Sequence, residues 1–210
     1  MAKDGTTPLI IAAANGHASV TKHLIEAHCK IDLQTKDGTT PLHAASDKRH
    51  ESVTTQLLAA RCNVDIQANN GYTSLHISAQ NGHAVVMEQL IEARCNINIQ
   101  AKNGCTLLYV TVENGHASVA KQLIEAPCNI NLQAEDGTTP LHSAAQSGHA
   151  AVAQLLLAAR CNIDLQSIGC ETAMQAAQRA GHTAILTLIR NTKHKGAVRP
   201  TKDTTLQARP

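Results

Sequence analysis

The stretch Asp37-Gly38-Thr39-Thr40-Pro41-Leu42-His43-Ala44-Ala45 encodes a turn followed by a helix start. Asp-Gly marks the turn, because glycine takes positive φ without steric cost. Thr40 is placed to cap a helix with its hydroxyl. Pro41 then occupies the first helical position, where no backbone N–H is needed. Leu42-His43-Ala44-Ala45 opens a short helix with small residues on one face. The same start returns as Asp4-Gly5-Thr6-Thr7-Pro8-Leu9 and Asp136-Gly137-Thr138-Thr139-Pro140-Leu141. Looser copies are Asn70-Gly71-Tyr72-Thr73-Ser74-Leu75 and Asn103-Gly104-Cys105-Thr106-Leu107-Leu108, and a degenerate sixth is Gly169-Cys170-Glu171-Thr172-Ala173-Met174. The starts at 4, 37, 70, 103, 136 and 169 are 33 residues apart, without insertion.

Each unit continues in the same way. Gly16, Gly82, Gly115 and Gly148 stand where the first helix should stop in a left-handed residue. A second helix follows with apolar residues at i, i+4 and i+5, as in Val53, Leu57, Leu58 and Val86, Leu90, Ile91. An alternating piece such as Asn96-Ile97-Asn98-Ile99-Gln100 leads into the next turn. One such helix pair cannot bury its apolar face alone, whereas pairs set side by side bury a continuous one. Composition agrees. Hydrophobic residues make up 43% of the 210, yet there are two Tyr, no Phe and no Trp. Such a core is filled in thin layers by Ala, Leu, Ile and Val, which argues against one large sandwich or barrel.

Thr40-Pro41-Leu42-His43-Ala44-Ala45 and Thr139-Pro140-Leu141-His142-Ser143-Ala144 resemble the ankyrin signature Thr-Pro-Leu-His-x-Ala, at the ankyrin period. The resemblance covers residues 1 to about 190. It implies an all-α solenoid of paired antiparallel helices joined by β-turn or hairpin-like loops. Its repeats would be 4–36, 37–69, 70–102, 103–135, 136–168 and 169–190. Residues 191–210 fall outside the period. Their five basic residues (Lys193, Lys195, Arg199, Lys202, Arg209) and Asp203 give +4, so the body carries −2 of the total +2. A basic tail with Pro and Thr and no apolar period reads as disordered.

Several functional classes fall away. A net charge of +2 does not by itself imply nucleic acid or membrane binding. No apolar run approaches the roughly 18–20 residues of a membrane span, and the N-terminus has no signal-peptide pattern. Cys29, Cys62, Cys95, Cys128 and Cys161 follow the period. Neighbouring repeats stack about 8–10 Å apart, too far for the roughly 7 Å that a disulfide tolerates between Cα atoms. These five are read as small buried residues. Cys105 and Cys170 lie off register in turns and are the expected exposed thiols. Reduced cysteines suit a cytoplasmic or nuclear setting.

Nine of the twelve histidines also follow the period: His17, His50, His83, His116, His149 and His182 at one position, His43, His76 and His142 at another. They are read as structural. The resemblance implies that the second group bonds to backbone between adjacent turns. Asp4, Asp37 and Asp136 occupy equivalent turns and do not form a facing catalytic pair. The chain has no Gly-x-x-x-x-Gly-Lys-Ser/Thr loop, no His-Glu-x-x-His and no Gly-x-Ser-x-Gly. No enzyme activity, catalytic residue, cofactor, metal or small-molecule substrate is expected, and nucleic acid is not the expected partner.

The resemblance implies instead a protein partner, of unknown identity, held on the concave side by turn tips and first helices. By position, the tip residues are Lys36, Asp37 and Thr39; Asn69, Asn70 and Tyr72; Lys102, Asn103 and Cys105; Glu135, Asp136 and Thr138. The ends of the first helices contribute Asp47, Lys48, Gln80, Asn81, Glu113, Asn114 and Gln146. These positions vary between repeats while the scaffold positions hardly do. Tyr72 stands out, because an aromatic at a tip can anchor a partner. The expected function is a monomeric, non-catalytic protein-interaction module. The alternative is an adaptor, or a secreted or host-directed effector, that recruits a client to an enzyme complex.

Three departures carry expectations. Arg49 replaces the inter-helix Gly in the second repeat. The fourth repeat loses Pro and His and puts β-branched residues in Thr106-Leu107-Leu108-Tyr109-Val110-Thr111-Val112, with Pro127 near the end of its second helix. It is therefore expected to be the least stable internal unit. Ile10-Ile11 make the first helix apolar, which suggests a missing upstream repeat, a bound partner or a self-contact.

Overall fold

The computed structural model describes residues 3–197. Six helix pairs follow one another: α1 (Pro8–Ala14) with α2 (Ala18–Glu26), α3 (Pro41–Asp47) with α4 (Glu51–Ala59), and α5 (Ser74–Gln80) with α6 (Ala84–Glu92). They continue as α7 (Leu107–Glu113) with α8 (Ala117–Glu125), α9 (Pro140–Ser147) with α10 (Ala150–Ala158), and α11 (Ala173–Arg179) with α12 (Thr183–Ala197). Each first helix packs on the first helix of the next pair, and each second helix on the next second helix. The result is a two-layered all-α solenoid in which a repeat touches its neighbours. Among the described residues the extended structure is limited to the isolated bridges Gln100 with Thr106 and Gln166 with Thr172.

The helices start where the threonines dictate. The hydroxyls of Thr7, Thr40, Thr73, Thr106, Thr139 and Thr172 each accept the backbone N–H three residues on. In four repeats the side chain at that third position answers. Nδ1 of His43, His76 and His142 and Oε1 of Gln175 accept the threonine's own backbone N–H at 2.8–3.3 Å. Substituting such a cap by Ala costs about 1 kcal/mol.

The core is the seam between the layers. Leu9, Leu42, Leu75, Leu108 and Leu141 recur in one register, and Leu57, Leu90, Leu123 and Leu156 in another, all buried. Each leucine contributes roughly 1.5–3 kcal/mol by leaving water. Ala13, Ala45, Ala79 and Ala144 are fully buried, and their small side chains let adjacent first helices approach closely. The fourth repeat buries Val110, Thr111 and Val112 in the same layer, with the Thr111 hydroxyl donating to the Leu107 carbonyl at 2.9 Å.

Two features add to the reading of the sequence, and a third departs from it. Second helices end in a left-handed residue that is not glycine: His28, Arg61, Arg94 and Arg160 have φ between 55° and 59–60°. Pro127 cannot follow them, because its ring fixes φ near −65°. Ala126 therefore runs extended (φ −82°, ψ 163°), and the Cys128 N–H donates to Ala126 O at 2.7 Å. In the sixth repeat the turn's glycine slot is filled by Cys170 at φ 57°, with Gly169 one place early. Finally, α12 continues through Ala197, so 191–197 is helical rather than disordered. Thr192 donates its hydroxyl to the Leu188 carbonyl, and Lys193 pairs with Asp164 at 2.9 Å, which ties this extension to the fifth repeat. The rest of the expected tail lies outside the described residues.

At the first repeat only one isoleucine faces outwards. Ile10 takes the register of His43 and is buried, whereas Ile11 is 53% exposed. Val20 is 46% exposed, although its counterparts Val53, Val86, Val119 and Val152 are buried beneath a preceding repeat.

Candidate partner-binding surface

The turn tips are hydrogen-bonded within and between repeats. Within a tip, the N–H groups of Thr35, Ala68, Ala101, Ala134 and Ser167 donate across the turn to Thr39, Tyr72, Cys105, Thr138 and Glu171, at 2.8–3.0 Å. Between tips, Lys36 N–H donates to Asp4 O, Asn69 to Asp37, Lys102 to Asn70, Glu135 to Asn103 and Ile168 to Asp136, at 2.8–3.3 Å. A row of glutamines reinforces this edge. Nε2 of Gln34, Gln67, Gln100 and Gln133 each donates to the glycine carbonyl of the adjoining turn and to the backbone carbonyl of the next glutamine in the row. The tips therefore form one continuous bonded edge.

The other end of the first helices is held by the inter-helix histidines. Nε2 of His50, His83, His116, His149 and His182 lies 2.9–3.2 Å from the carbonyl oxygens of Ala14, Asp47, Gln80, Glu113 and Gln146 in the preceding repeat. At the N-terminal end of the helix, His43 and His142 reach the Tyr72 and Glu171 carbonyls of the following turn, at 3.1 and 2.9 Å. His76 is buried, its Nε2 makes no hydrogen bond of ordinary geometry although the Ile99 backbone is nearby, and its ring lies 5.3 Å from that of Tyr72. Burial pushes its basicity down to about 4.

Of the tip residues, Lys36, Asp37, Asn69, Asn70, Lys102, Asn103, Glu135 and Asp136 are exposed, while Thr39, Tyr72 and Thr138 are half-buried. Asp47, Lys48, Gln80, Asn81, Glu113, Asn114 and Gln146 are exposed at the helix ends. Several have their polar atoms engaged by the scaffold. Asn69 donates to Lys36 O, Asn70 and Asn103 accept from their own turns, and Asn114 donates to Val110 O. Asp47 pairs with Lys48 at 2.8 Å and accepts from Asn81, and the lysine's hydrogen bond holds its carboxyl below the usual range.

Cys105 is not the exposed thiol expected from its turn position. It is 8% exposed and lines a cleft together with Tyr72 and Tyr109. Burial, with Glu113, Asp136 and Glu135 nearby, pushes its thiol up to about 11. Cys170 is exposed as expected. The five registered cysteines pack on the core: Cys62, Cys95 and Cys161 are buried, Cys29 and Cys128 half-buried.

The structure gathers part of the surface into one cleft of about 330 Å³ across the third, fourth and fifth repeats. Tyr72, Asn103, Cys105 and Glu113 line it, with Glu135 and Asp136 from the next tip. Tyr109 completes it, and the sequence marked that residue only as a replacement for the usual His. Its hydroxyl lies 3.5 Å from that of Thr138. Burial raises both tyrosines above the ordinary phenol value, and Glu113 adds to this in each. Asp136 is held low, first by the Thr138 hydroxyl. The cleft lining leaves out Lys36, Asp37, Thr39, Asp47, Lys48, Asn69 and Asn70, as well as Gln80, Asn81, Lys102, Asn114, Thr138 and Gln146.

Among the described residues, no group of three or more His, Cys, Asp or Glu is placed to hold a metal ion, and no helix is long and apolar enough to cross a membrane.

A family model of ankyrin repeats in three copies matches residues 1–70, 49–134, 75–168 and 110–203. Comparison with curated proteins gives no significant match. Among solved structures, an ankyrin repeat domain from Acinetobacter baumannii AYE is 25% identical, with a TM-score of 0.83 over 89% of this chain and 97% of that one. Ankyrin repeats are generally protein–protein interaction modules and typically non-catalytic. With the period, caps and stacked layers in place and the family model spanning the array, the chain belongs to the ankyrin repeat family.

Proposed function

We propose that this chain binds a protein partner along the turn tips and the adjoining first helices, on the concave side of the stack. The observation that carries this reading is the bonded edge of tips, a rigid backbone that displays residues differing from repeat to repeat. A surface already ordered loses little conformational entropy on binding. Its side chains are mostly short and polar, which suits a hydrogen-bonded, hydrated interface of modest affinity.

Affinity capture with the full chain, beside Tyr72→Ala, Gln80→Ala and Asp47→Ala, tests it. A specific partner should be lost or weakened several-fold by these changes, with helicity and melting retained. Capture that ignores all three variants, yet disappears when outward residues of the second helices such as Lys22 and Lys121 are changed, would place the interface elsewhere.

A further inference from the structure

We propose that the cleft across the third to fifth repeats receives one basic side chain, lysine or arginine, from a partner segment. This inference rests on the reading of the tips as a partner surface and names the chemistry that part of it selects. The chain has only two aromatic residues, Tyr72 and Tyr109, and both line this one cleft. They come from different repeats, one from a tip and one from the first turn of α7. Glu113 follows Tyr109 by four residues, so both project from the same face of α7. Glu135 and Asp136 face them from the next tip.

The lining therefore offers two aromatic rings, three carboxylates and no cationic side chain. Among the described residues none of the three carboxylates has a cation within 4 Å. Their field disfavours an anionic ligand. A bare metal ion is also a poor match, because the carboxylates are not grouped closely enough to share one. A lysine or arginine fits each component. Its apolar stem lies along the tyrosine rings, its charged head is attracted by their faces, and a guanidinium or ammonium donates to the carboxylates. Asn103 adds a side-chain carbonyl whose oxygen already takes the Cys105 N–H.

The test uses the chain's own emission. With no Trp present, tyrosine fluorescence reports Tyr72 and Tyr109 alone, and therefore this cleft. The full chain is titrated with acetyl-Gly-Arg-Gly-amide and acetyl-Gly-Lys-Gly-amide, and with the Gln and Glu versions as controls. The expected result is a saturable change for the basic peptides, with Kd on the order of millimolar, weakened by added salt and absent with Gln or Glu. Glu113→Gln with Glu135→Gln should weaken binding about tenfold or more. Asp136→Asn should weaken it while keeping the turn, since Asn70 and Asn103 hold the same turn in their own repeats. Tyr109→Phe should bind like the unaltered chain and Tyr109→Leu should not, with Tyr72 still reporting. No saturation with either basic peptide, an equal response to the Gln peptide, or unchanged affinity in the double Gln variant would overturn the proposal. If that happens while partner capture still depends on Asp47 and Gln80, this inference alone fails. If capture is indifferent to the whole tip surface, the broader reading fails as well.

Discussion

His50 Nε2 lies 3.1 Å from the carbonyl oxygen of Ala14, 36 residues earlier, and its ring occupies the space that a Cβ on Gly16 would need. Gly16 is required twice, once for its φ of 69° and once for the imidazole, whose Nδ1 would be 2.6 Å from such a Cβ. The same pairing joins Gly82 to His116, Gly115 to His149 and Gly148 to His182.

Three glycines should therefore differ in their tolerance of alanine. Gly181 has φ 76° and open space around it, so Gly181→Ala should lose about 1 kcal/mol from backbone strain alone. Gly82→Ala should lose roughly 2 kcal/mol, because His116 must also swing away from the Gln80 carbonyl. Gly71→Ala should be worst, about 3 kcal/mol or more, since its Cβ would stand 2.5 Å from the backbone nitrogen of Lys102 and force two tips apart. Urea denaturation ranks the three, and equal losses would show that the contacts contribute nothing beyond φ.

Acid should weaken the stack through the buried histidines. His43 and His76 are both less basic than an ordinary imidazole, chiefly through burial, and His76 falls to about 4. The folded state thus prefers the neutral form. Its stability is full above the unfolded value near 6.5 and declines as pH drops from there toward 4. For His76 the loss is about 3 kcal/mol at most. His76→Gln keeps the cap, as Gln175 does in the sixth repeat, but removes the titration. Denaturation midpoints at pH 7 and pH 4.5 should lie closer together in that variant than in the unaltered chain.

The cysteines should separate by reactivity. A thiol reagent added to the native chain should modify Cys170 rapidly and the buried Cys62, Cys95, Cys105 and Cys161 slowly, with all seven reacting once the chain is unfolded. Burial pushes the Cys62 thiol to about 12 and the other three to about 11, so little thiolate is present at neutral pH. Cys170→Ser should abolish the fast phase. A fast phase that remained in Cys170→Ser and vanished on the further change Cys105→Ser, rather than on changing the half-buried Cys29 or Cys128, would place Cys105 at the surface after all.

The fourth repeat should exchange its amide hydrogens fastest among the inner four. Elsewhere the ends of second helices are closed by paired bonds, as with Arg94 N–H to Ile91 O and Cys95 N–H to Leu90 O, whereas Pro127 removes that closure at α8. Pro127→Arg should restore it, because Arg61, Arg94 and Arg160 already hold the left-handed position. The Cys128 amide should then exchange about tenfold more slowly. Exchange in the fourth repeat slower than in the third and fifth would contradict this.

Much of the scaffold is legible in residue order. Thr40 and Pro41 mark a helix start on local chemistry alone, and 33-residue spacing supplies the stacking. Less legible are features that depend on what a neighbouring repeat brings. Cys105 looks exposed until the fold buries it in a cleft shared with Tyr72 and Tyr109, and Tyr109 looks like a lost histidine until the next tip brings two carboxylates to the same cleft. The glutamines at 34, 67, 100 and 133 follow the period in plain sight, but in one unit alone each is an ordinary polar residue. Arginine at a left-handed helix end runs against local preference and is tolerated because the closing bonds and the packed cysteine beside it hold the backbone there. The helical extension of α12 past 190 has no repeat to announce it and is anchored by Lys193 to Asp164.

The glutamine row also bears on how such a chain can change in length. Gln67 gives a hydrogen bond forward to Gln100 and receives one from Gln34, both across 33 residues. Cut out the unit between them and Gln34 meets the carbonyl of Gln100 instead, with the same atoms at the same offset. Duplication works equally well in reverse. A slip of one residue, by contrast, leaves donors facing the wrong carbonyls at every later tip. Gain and loss of whole units is therefore the permitted route of variation, and each such step moves the cleft's neighbours without rebuilding the edge that carries them.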